Sequence, residues 1–506
     1  MTNRQAGIAL RRFGLGARSG ESSRIAGDPR GFVSGQLAQP ARALIKAVLP
    51  PSHDILADVQ RARLDRRDAR EIAKQQLATI APGSAAPADN GKGPSGPAPA
   101  TNGPAAAPNA ASSAPPPPQA AIAAPPAPPK ADEPRPARLL REAFLADLDA
   151  RVDHGIATEA PFLERLVLFW SSHFAVSAAK GAVRGLAGAY EREVIRPHVL
   201  GRFADMLKAS AQHPAMLIYL DNAASIGPNS QVGRNRSRGL NENLAREILE
   251  LHTLGVDGGY TQDDVTNFAR LLTGWSVGQV ELANTVPGKF FFAPPRHEPG
   301  AWTVVGRRYA QGGIADGEAA LADLARHPST ARHIARKFAR HFVADAAPPA
   351  LIARLEASFR DSGGDLGALA RTLVASPEAW DAPPAKIVPP YDFLISAVRG
   401  LMPRPPGREI ARLAAALGQP TWAPVSPKGW PDDDNAWTGP GPIRERLRIA
   451  EQIARRTSDP TADPRTLADD LLSGLLRPET RLAIQRAETR EQGFELLVRS
   501  SEFQRR

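Results

Sequence analysis

The stretch PFLERLVLFWSSHF, residues 161–174, has the pattern of a helix with one strongly apolar face. Proline is favoured in the first turn of a helix, where its missing N–H costs nothing. At 100° per residue, His173 falls in the middle of the apolar face, and Glu164 and Arg165 are predicted to point outward. The apolar residues of this face are Phe162, Leu166, Phe169 and Trp170.

A second helix is predicted by NENLAREILELHTLG, residues 241–255. Asn241 suits the N-cap, and Gly255 suits the position just after the last turn. Glu247 projects into the apolar face, where an ionised carboxylate needs a partner or a raised pKa. The residues that define this face are Leu244, Ile248, Leu251 and Leu254.

The two misplaced polar groups, His173 and Glu247, form a candidate acid/base pair. A single histidine on an apolar face is more often a core residue bonded to a backbone carbonyl. A buried histidine and a buried glutamate can, however, supply each other with a hydrogen bond and a counter-charge. Pairs with perturbed pKa values are enriched at functional sites. Periodicity alone leaves open which helices pack together.

The fold class indicated by the sequence is mainly α, a multi-helical globular protein. Strand signals are sparse, and KFFFAPPRHEPGAWTVVGRRY, residues 289–309, predicts one short β-hairpin around a Pro/Gly loop. Apolar residues elsewhere recur with the helical period. The further predicted helices are 55–80, 137–151, 191–206, 214–220, 262–272, 317–325, 329–342, 350–359, 366–375, 391–401, 408–416 and 441–454.

Composition divides the chain into four parts. Residues 81–136 are mostly Ala, Pro, Gly, Ser and Asn, which predicts a long disordered Pro/Ala-rich linker. Both flanks of the linker are helical by period, so we expect it to interrupt one helical region. Residues 1–80 are then the N-terminal part of the core, 137–400 the main helical core and 401–506 a C-terminal helical segment that packs on it. A spacer is favoured over a docking peptide, because no charged PxxP element is present.

Charge and cysteine content exclude several classes of protein. The 506-residue chain has a formal net charge of +10, but its basic residues are interleaved with acidic ones, and no nucleic-acid-binding module is recognisable. The absence of cysteine excludes disulfides, thiolate nucleophiles and cysteine-based metal sites. The N-terminus lacks the apolar core of a signal peptide, and no run reaches the length of a membrane span. We therefore expect a cytoplasmic location, with a periplasmic or exported location as the alternative.

Two groups of polar residues are candidate ligand-binding sites. Arginines precede the helix at 241–255, and helix N-termini with nearby arginines bind anions. In the helix that begins at Gln262, with a capping box of Thr261 and Asp264, polar residues share one face. A solvated loop and a solvated helix face are the alternatives. The candidate ligand-binding residues are Arg234, Arg236, Arg238, Asn243, Arg246, Asp263, Asn267 and Arg270.

His297 and Glu298 lie at the tip of the predicted hairpin. This pair would suit a metal ligand, a general base or no function at all. HExxH is absent, so we predict no metal site, and GxSxG, Walker and Rossmann fingerprints are absent too. The sequence does not identify a cofactor or a substrate.

The stretch NENLAREILELHTLGVDGGYTQDDVTNFARLLTGW, residues 241–275, resembles the signature of the bacterial family catalogued as domain of unknown function 1800. The resemblance spans nearly the whole chain apart from the linker. Its companion pieces, in order along the chain, are RRFGLGA from Arg11, FWSSHFAVS from Phe169, HPAMLIYLDN from His213, RHEPGAWTVVG from Arg296, LGQPTWAPVSPKGWPDDDNAW from Leu417 and SSEFQ near the C-terminus.

This resemblance implies a mainly helical bacterial protein without an established activity or catalytic residues. Genes of the family often lie beside those of a second family, domain of unknown function 1501, which makes a member of that family the predicted partner. Members usually carry more polar residues in place of Ser171 and Ser172, and an Asp and a Lys in place of Glu298 and Trp302. These departures argue against a catalytic hairpin tip in this chain.

Two functions from different classes follow. The favoured one is an accessory or binding scaffold that acts with a partner protein and contains a buried polar cluster around His173 and Glu247. The alternative is an enzyme with hydrolase-like acid/base chemistry on an anionic or polar substrate, in which His297 joins these two residues. A pocket that contains all three residues would favour the enzyme. If the three side chains instead pair with one another and no cleft is present, the scaffold is favoured.

Overall fold

The computed structural model of the chain describes residues 2–80, 133–235, 239–457 and 461–506. The predicted linker, residues 81–136, therefore lies outside the described residues apart from its last four positions. At those positions the chain already enters a helix, which begins at Arg135. The helical flank thus starts two residues earlier than composition indicated, because proline is well tolerated in a first helical turn.

The chain forms two compact units. One unit consists of Met1–Arg61 and Ile122–Arg506, and the other consists of Ala62–Ala121. In the second unit, the described residues 62–80 are helical. All other described residues belong to the first unit.

Helices dominate the described residues, which confirms the mainly α fold class. The helices of the first half are α1 (Thr2–Ile8), α2 (Glu21–Ile25), α3 (Pro29–Gln36), α4 (Ser52–Ile80), α5 (Arg135–Ala157), α6 (Pro161–His173), α7 (Ala187–Tyr190), α8 (Arg196–His198), α9 (Phe203–Gln212), α10 (Pro214–Tyr219), α11 (Asn243–Glu247) and α12 (Gln262–Leu272). Those of the second half are α13 (Ile314–Arg326), α14 (Pro328–Phe342), α15 (Pro349–Asp361), α16 (Leu366–Ala375), α17 (Glu378–Asp381), α18 (Pro390–Gly400), α19 (Gly407–Ala416), α20 (Pro440–Arg455), α21 (Pro464–Leu472), α22 (Pro478–Gln485), α23 (Arg490–Arg499) and α24 (Ser501–Gln504).

Wider and tighter helical turns extend or connect these elements. The π-helical turns are Ala9–Phe13 after α1, Glu191–Ile195 between α7 and α8, and Ile248–His252 after α11. The 3-10 turns are Pro40–Ala43, Gly181–Gly185, Asn222–Ala224, Gly233–Asn235, Pro294–Arg296 and Asp434–Trp437. Because a π turn contains one residue more than the i to i+4 pattern allows, it rotates the following residues relative to the preceding face.

The predicted single hairpin at 289–309 is wrong in its pairing, because its two strand-like runs pair with other segments. The strands are β1 (Trp275–Val277), β2 (Phe290–Phe292), β3 (Ala301–Val304) and β4 (Arg307–Ala310). They form two separate antiparallel sheets, β1 with β2 and β3 with β4. Val305 and Gly306, with φ of 48° and 74°, supply the positive dihedrals that a two-residue hairpin turn between β3 and β4 requires.

The predicted helix 191–206 is interrupted. After α8 the chain leaves the helical path, and Arg202 forms an isolated antiparallel bridge with Asp365. The N–H of Phe203 donates to the carbonyl of Gly364 at 2.8 Å, and α9 begins there. A tertiary backbone contact thus ends one helix and begins the next.

Helix α6 lies in the centre of the core and is enclosed on several sides. Phe162 contacts Phe13 with ring centroids 5.4 Å apart, and Phe169 contacts Phe338 of α14 at 5.2 Å. Every residue from 161 to 167 is buried. The predicted outward position of Glu164 and Arg165 is therefore wrong, because this helix has no solvent-exposed face in its first two turns.

The buried charges of α6 are held by ion pairs with distant segments. Arg196 of α8 contacts Glu164 at 2.7 Å and Glu191 at 2.7 Å. Arg165 contacts Asp392 of α18 at 2.7 Å. A buried charge is tolerated when such partners compensate for its lost hydration. Helical periodicity could not reveal these partners, since they come from other helices.

The ion pair between Glu164 and Arg196 leads to a stability prediction. The substitution Glu164→Gln leaves the buried Arg196 without one of its two carboxylates, and we expect a loss of about 3 kcal/mol in the free energy of unfolding. Urea denaturation measures this loss. The control Glu445→Gln removes the exposed pair with Arg448 and should cost under about 1 kcal/mol. Equal losses in the two variants would contradict the structural role of the buried pair.

Candidate functional site

A cavity of about 530 Å³ lies beside α6. This volume is within the usual range for small-molecule sites. Its walls come from α6, α14, the segment around the π turn 248–252, and the loop 419–433. The aromatic residues that line it are Phe169, Tyr190, Tyr391, Trp422 and Trp430, and the titratable residues include His173, Glu191, His333, Lys337, His341 and Asp432.

Helix α14 supplies four basic residues of the cavity wall, His333, Lys337, Arg340 and His341. His333, Lys337 and His341 follow each other at intervals of four residues, so they project from one side of the helix. Ile334 and Phe338 are buried in the core and hold the helix in place. The apolar packing of α14 therefore fixes which side chains face the cavity.

His173, at the last residue of α6, is buried and has a partner at each ring nitrogen. Its Nε2 lies 3.1 Å from the carbonyl oxygen of His252, and its Nδ1 lies 3.1 Å from Nζ of Lys337. A carbonyl oxygen only accepts, so Nε2 carries the proton and Nδ1 accepts from Lys337. Burial, and secondarily the charge of Lys337, hold the pKa of His173 well below its usual value. The imidazole is neutral at pH 7.

Two further histidines adjoin this pair. The ring centroids of His252 and His333 lie 6.1 Å and 6.2 Å from that of His173. Nε2 of His333 donates to the carbonyl oxygen of Leu251 at 3.1 Å. Burial first, and the charge of Lys337 second, lower the pKa of His252 to about 3 and that of His333 to about 4. All three rings are therefore neutral near pH 7.

Lys337 is the cationic group of this cluster. Burial lowers its pKa to about 8, against the raising effect of Asp432, and Lys428 lowers it further. Among the described residues, no carboxylate oxygen lies within 4.0 Å of its Nζ, and its hydrogen-bond partner is His173. An ammonium group has three donors, so two donors of Lys337 are not used by the described protein atoms.

Asp432 belongs to a separate set of ion pairs at the same wall. Its Oδ1 accepts from Nδ1 of His341 at 3.2 Å, and Nζ of Lys386 lies 3.7 Å from the same oxygen. Burial acts to raise the pKa of Asp432, but the charges of His341, Lys386 and Lys337 outweigh it and lower the pKa. Asp432 is thus ionised and engaged with groups other than Lys337.

Glu191 provides the acidic part of the cavity. Its carboxylate accepts from Arg196 at 2.7 Å, from Nε1 of Trp422 at 2.9 Å and from Oγ of Ser171 at 3.1 Å. Burial opposes ionisation, but Arg151, Arg196 and these hydrogen bonds lower the pKa of Glu191 to about 2. Its negative charge is therefore compensated within the protein.

The loop 419–433 closes over the end of α6. Gly429 has a φ of 84°, and a Cβ atom there would lie 2.0 Å from the carbonyl oxygen of Ser172. The N–H of Trp430 donates to Oγ of Ser172 at 3.0 Å. Glycine is therefore required for the loop to approach α6. Val256 and Val425, at the cavity, are 68% and 79% exposed and leave apolar surface open to solvent.

The structure places Glu247 and His297 apart from this cavity. Both ring nitrogens of His173 are engaged elsewhere, so Glu247 is not its partner. Burial and the charge of Glu250 raise the pKa of Glu247, which is half-buried. Nδ1 of His297 donates to the carbonyl oxygen of Thr273 at 2.8 Å. Neither Glu247 nor His297 lines the cavity.

The position of Glu247 follows from the face that the second helix buries. The residues buried along it are Leu244, Ala245, Ile248, Leu249 and His252. Leu251, which we used to define the apolar face, is only half-buried. The predicted helix 241–255 is α-helical only from Asn243 to Glu247, and the π turn that follows changes the angle between successive side chains.

The predicted ligand-binding residues are dispersed, and none of those described lines the cavity. Arg246 pairs with Glu242 at 3.0 Å. Asn267 donates to the carbonyl of Thr303 at 2.9 Å, and Arg270 donates to Asn267 and stacks on Trp302 at 4.2 Å. These contacts connect α12 to β3. Arg234, Asn243 and Asp263 are exposed, and Arg236 and Arg238 lie outside the described residues.

Sequence reasoning missed most of the cavity residues, although a signal existed. The spacing of His333, Lys337 and His341 repeats the helical i, i+4 relation. The piece LGQPTWAPVSPKGWPDDDNAW contributed to the family resemblance and supplies Trp422 and Asp432, but nothing in it indicates which helices the loop contacts. Glu191 carried no comparable signal, because its partners lie on other segments.

The described residues thus define a mainly helical protein with a cavity lined by aromatic and charged side chains. The chain belongs to the family described as "Protein of unknown function (DUF1800)", whose sequence profile matches residues 8–505. Comparisons with curated proteins and with solved structures gave no match. Within residues 2–80, 133–235, 239–457 and 461–506, no helix is both long and apolar enough to cross a membrane. The same residues contain no group of three His, Cys, Asp or Glu side chains placed to hold a metal ion.

The buried histidines predict a loss of stability in acid. His252 has a pKa of about 3 in the folded protein, against about 6.5 in the unfolded chain. Between pH 6.5 and pH 3 the unfolded chain therefore binds more protons, and the free energy of unfolding decreases as the pH is lowered. From pH 6.5 to pH 5, His252 should account for a loss of about 2 kcal/mol in the free energy of unfolding. Urea titrations at several pH values should show a shallower dependence in His252→Phe.

The control for this prediction is His53→Gln, at a histidine whose side chain is 29% exposed and lies beside Asp54. Its pH dependence should match that of the wild type more closely than that of His252→Phe. An unchanged slope between pH 5 and pH 6.5 in His252→Phe would show that the buried ring does not resist protonation.

Proposed function

We propose that this protein is a binding protein for a small organic acid, which enters the cavity with its acid group directed toward Lys337. The observation that carries the proposal is the position of Lys337: its amine lies on the cavity wall, and among the described residues no carboxylate lies within 4.0 Å of it. A cation in such surroundings is costly without a counter-charge. The acid group of a ligand would provide one.

The other cavity residues suit the same ligand class. Arg340 and Lys428 line the cavity and are exposed, so they add positive charge near its opening. Five carboxylates also line the cavity. Those of Glu191, Asp392 and Asp432 are engaged by basic residues of the protein, which limits their repulsion of an anion, and the other two are Glu250 and Asp433. Aromatic side chains such as Phe169 and Trp422 supply the apolar surface that buries the rest of a small ligand.

Acid/base catalysis on the bound acid is the second candidate function. The observation that favours it is the contact between Lys337 and a neutral imidazole, since Nδ1 of His173 is unprotonated and accepts from the amine of Lys337. This candidate differs from the hydrolase-like site expected from the sequence, because Glu247 and His297 lie away from the cavity. The catalytic group would be His173 with Lys337.

A protein partner remains part of the proposal. The exposed side chains of Val256 and Val425 lie at the cavity and offer apolar surface for a contact. A member of the neighbouring family, domain of unknown function 1501, is the predicted partner, and the binding function would then be accessory to it. The expected cytoplasmic location and the lack of nucleic-acid binding also stay predictions.

The ligand proposal is tested by thermal shift with defined acids. We expect at least one of succinate, citrate, inorganic phosphate and glucose 6-phosphate to stabilise the wild type, by about 2.7 kcal/mol when its concentration is a hundred times the Kd. The substitution Lys337→Met should abolish this shift. Without ligand, the stability of the variant should lie within about 1 kcal/mol of that of the wild type, because the removal of a half-buried charge without a carboxylate partner offsets the loss of its hydrogen bond to His173.

Lys208→Met is the matched control, since it removes one positive charge from a surface pair with Glu318. This variant should keep the full response to acids. The uncharged succinamide should not stabilise any of the three proteins. A Lys337→Met protein that is strongly destabilised without ligand would indicate that the lysine is structural and would count against the binding site.

A further inference from the structure

The amine of Lys337 has a different kind of partner from the lysines that do not line the cavity, such as Lys180 and Lys386. Lys180 pairs with Asp221 at 2.7 Å, and Lys386 pairs with Asp345 at 2.5 Å. Lys337 instead contacts Nδ1 of His173 at 3.1 Å. A neutral amine still has N–H groups, so this hydrogen bond persists when Lys337 loses its proton.

We infer that Lys337 is a nucleophilic amine that forms an imine with an aldehyde or keto group of the bound ligand. This inference rests on the proposed function, because it requires that a small molecule enters the cavity. It narrows the ligand to an acid that also carries a carbonyl group. In such a molecule the carbonyl and acid groups can be adjacent, so the acid group still lies near Lys337, and Arg340 and Lys428 are further cations at the cavity.

The groups around Lys337 support a partly neutral amine. With a pKa of about 8 instead of 10.5, about a tenth of the amine is unprotonated at pH 7, roughly 300 times the ordinary fraction. Lysines in such desolvated or cation-rich sites act as imine-forming nucleophiles. The titratable and charged groups that act on this cluster are His173 from α6, His252 from the π turn, His333 and Arg336 from α14, and Lys428 and Asp432 from the loop 419–433.

The chemical step balances with the groups present. The lone pair on Nζ attacks the carbonyl carbon, a C–N bond forms, and the electron pair of the C=O bond moves to oxygen. Nδ1 of His173, 3.1 Å away, takes a proton from the nitrogen and passes it to the oxygen, which gives a hydroxyl group. A second transfer of the same kind moves the remaining N–H proton to this hydroxyl, which leaves as water as the C=N bond forms. No group is oxidised or reduced. The carbonyl of His252 accepts from Nε2 and thereby stabilises the transient imidazolium.

The experiment traps the imine in the full-length protein. Glyoxylate serves as the probe, because it is a small acid with an aldehyde group, and cyanoborohydride reduces the imine to a carboxymethyl amine. After digestion, mass spectrometry compares modification at Lys337 with that at Lys208 in the same sample. We expect Lys337 to react at least about ten times faster at pH 7. Its rate should rise with pH, reach half of its maximum near pH 8 and level off about one pH unit higher. An equal rate at the two lysines would overturn the inference.

Two variants separate the amine from its surroundings. Lys337→Arg keeps the charge and cannot form an imine, so it should lose the adduct at this position and keep the thermal shift with acids. His173→Gln should slow adduct formation at Lys337 at least about ten-fold if the imidazole carries the proton. An unchanged rate in His173→Gln, with the fold intact, would remove His173 from the step.

The outcomes distinguish this inference from the proposed function. A thermal shift with acids but no adduct at Lys337 would overturn the imine alone. If neutral glycolaldehyde reacts at Lys337 as fast as glyoxylate and no acid shifts the melting temperature, the reactive amine stands and the acid-binding proposal fails. Neither shift nor adduct would overturn both.

Discussion

The structure depends on the charge of Arg196, which is fully buried between the carboxylates of Glu164 and Glu191. These two contacts attach α6 to the segment that contains the π turn 191–195. Glu191 in turn receives hydrogen bonds from Ser171 and Trp422, so the same group that holds the core also forms part of the cavity wall. The ion pairs of Arg196 therefore connect the central helix α6 to Glu191, the residue that forms part of the cavity wall.

In the cavity wall formed by α14, the main charged group has an uncharged partner. Histidine rings around Lys337 are kept neutral by burial and by the lysine itself, so the hydrogen-bond partner of this cation is an uncharged imidazole. The charge of Glu191 is compensated by Arg196, whereas Lys337 has no carboxylate oxygen within 4.0 Å among the described residues, and this difference gives the cavity a polarity. That polarity is the physical basis for a ligand with an acid group.

The fold class and most helices were predictable from sequence, because apolar residues recur with the helical period. Helices such as α12 and α16 have the predicted bounds, and the capping box of Thr261 and Asp264 is present. The strand pairing was not predictable from the runs alone, since register depends on the Val305–Gly306 turn. Glu164 and Arg165 were misplaced because a pattern shows a polar residue but not a partner on another helix. His173 was correctly singled out as a polar group on an apolar face, whereas its partner came from α14 and not from Glu247.

The π turn at residues 248–252 sets how the cavity is connected to its surroundings. In a π turn the backbone N–H reaches back five residues, as Thr253 does to Ile248 at 2.9 Å, and the chain contains one residue more than a regular helix of the same length. The carbonyl that fixes the tautomer of His173 comes from this segment. The position of the His173 partner thus depends on the number of residues in this helical segment. A one-residue deletion that restored regular helical spacing would displace that carbonyl and release the imidazole, and it would also move Glu250 and Leu251, which line the cavity from the same turn.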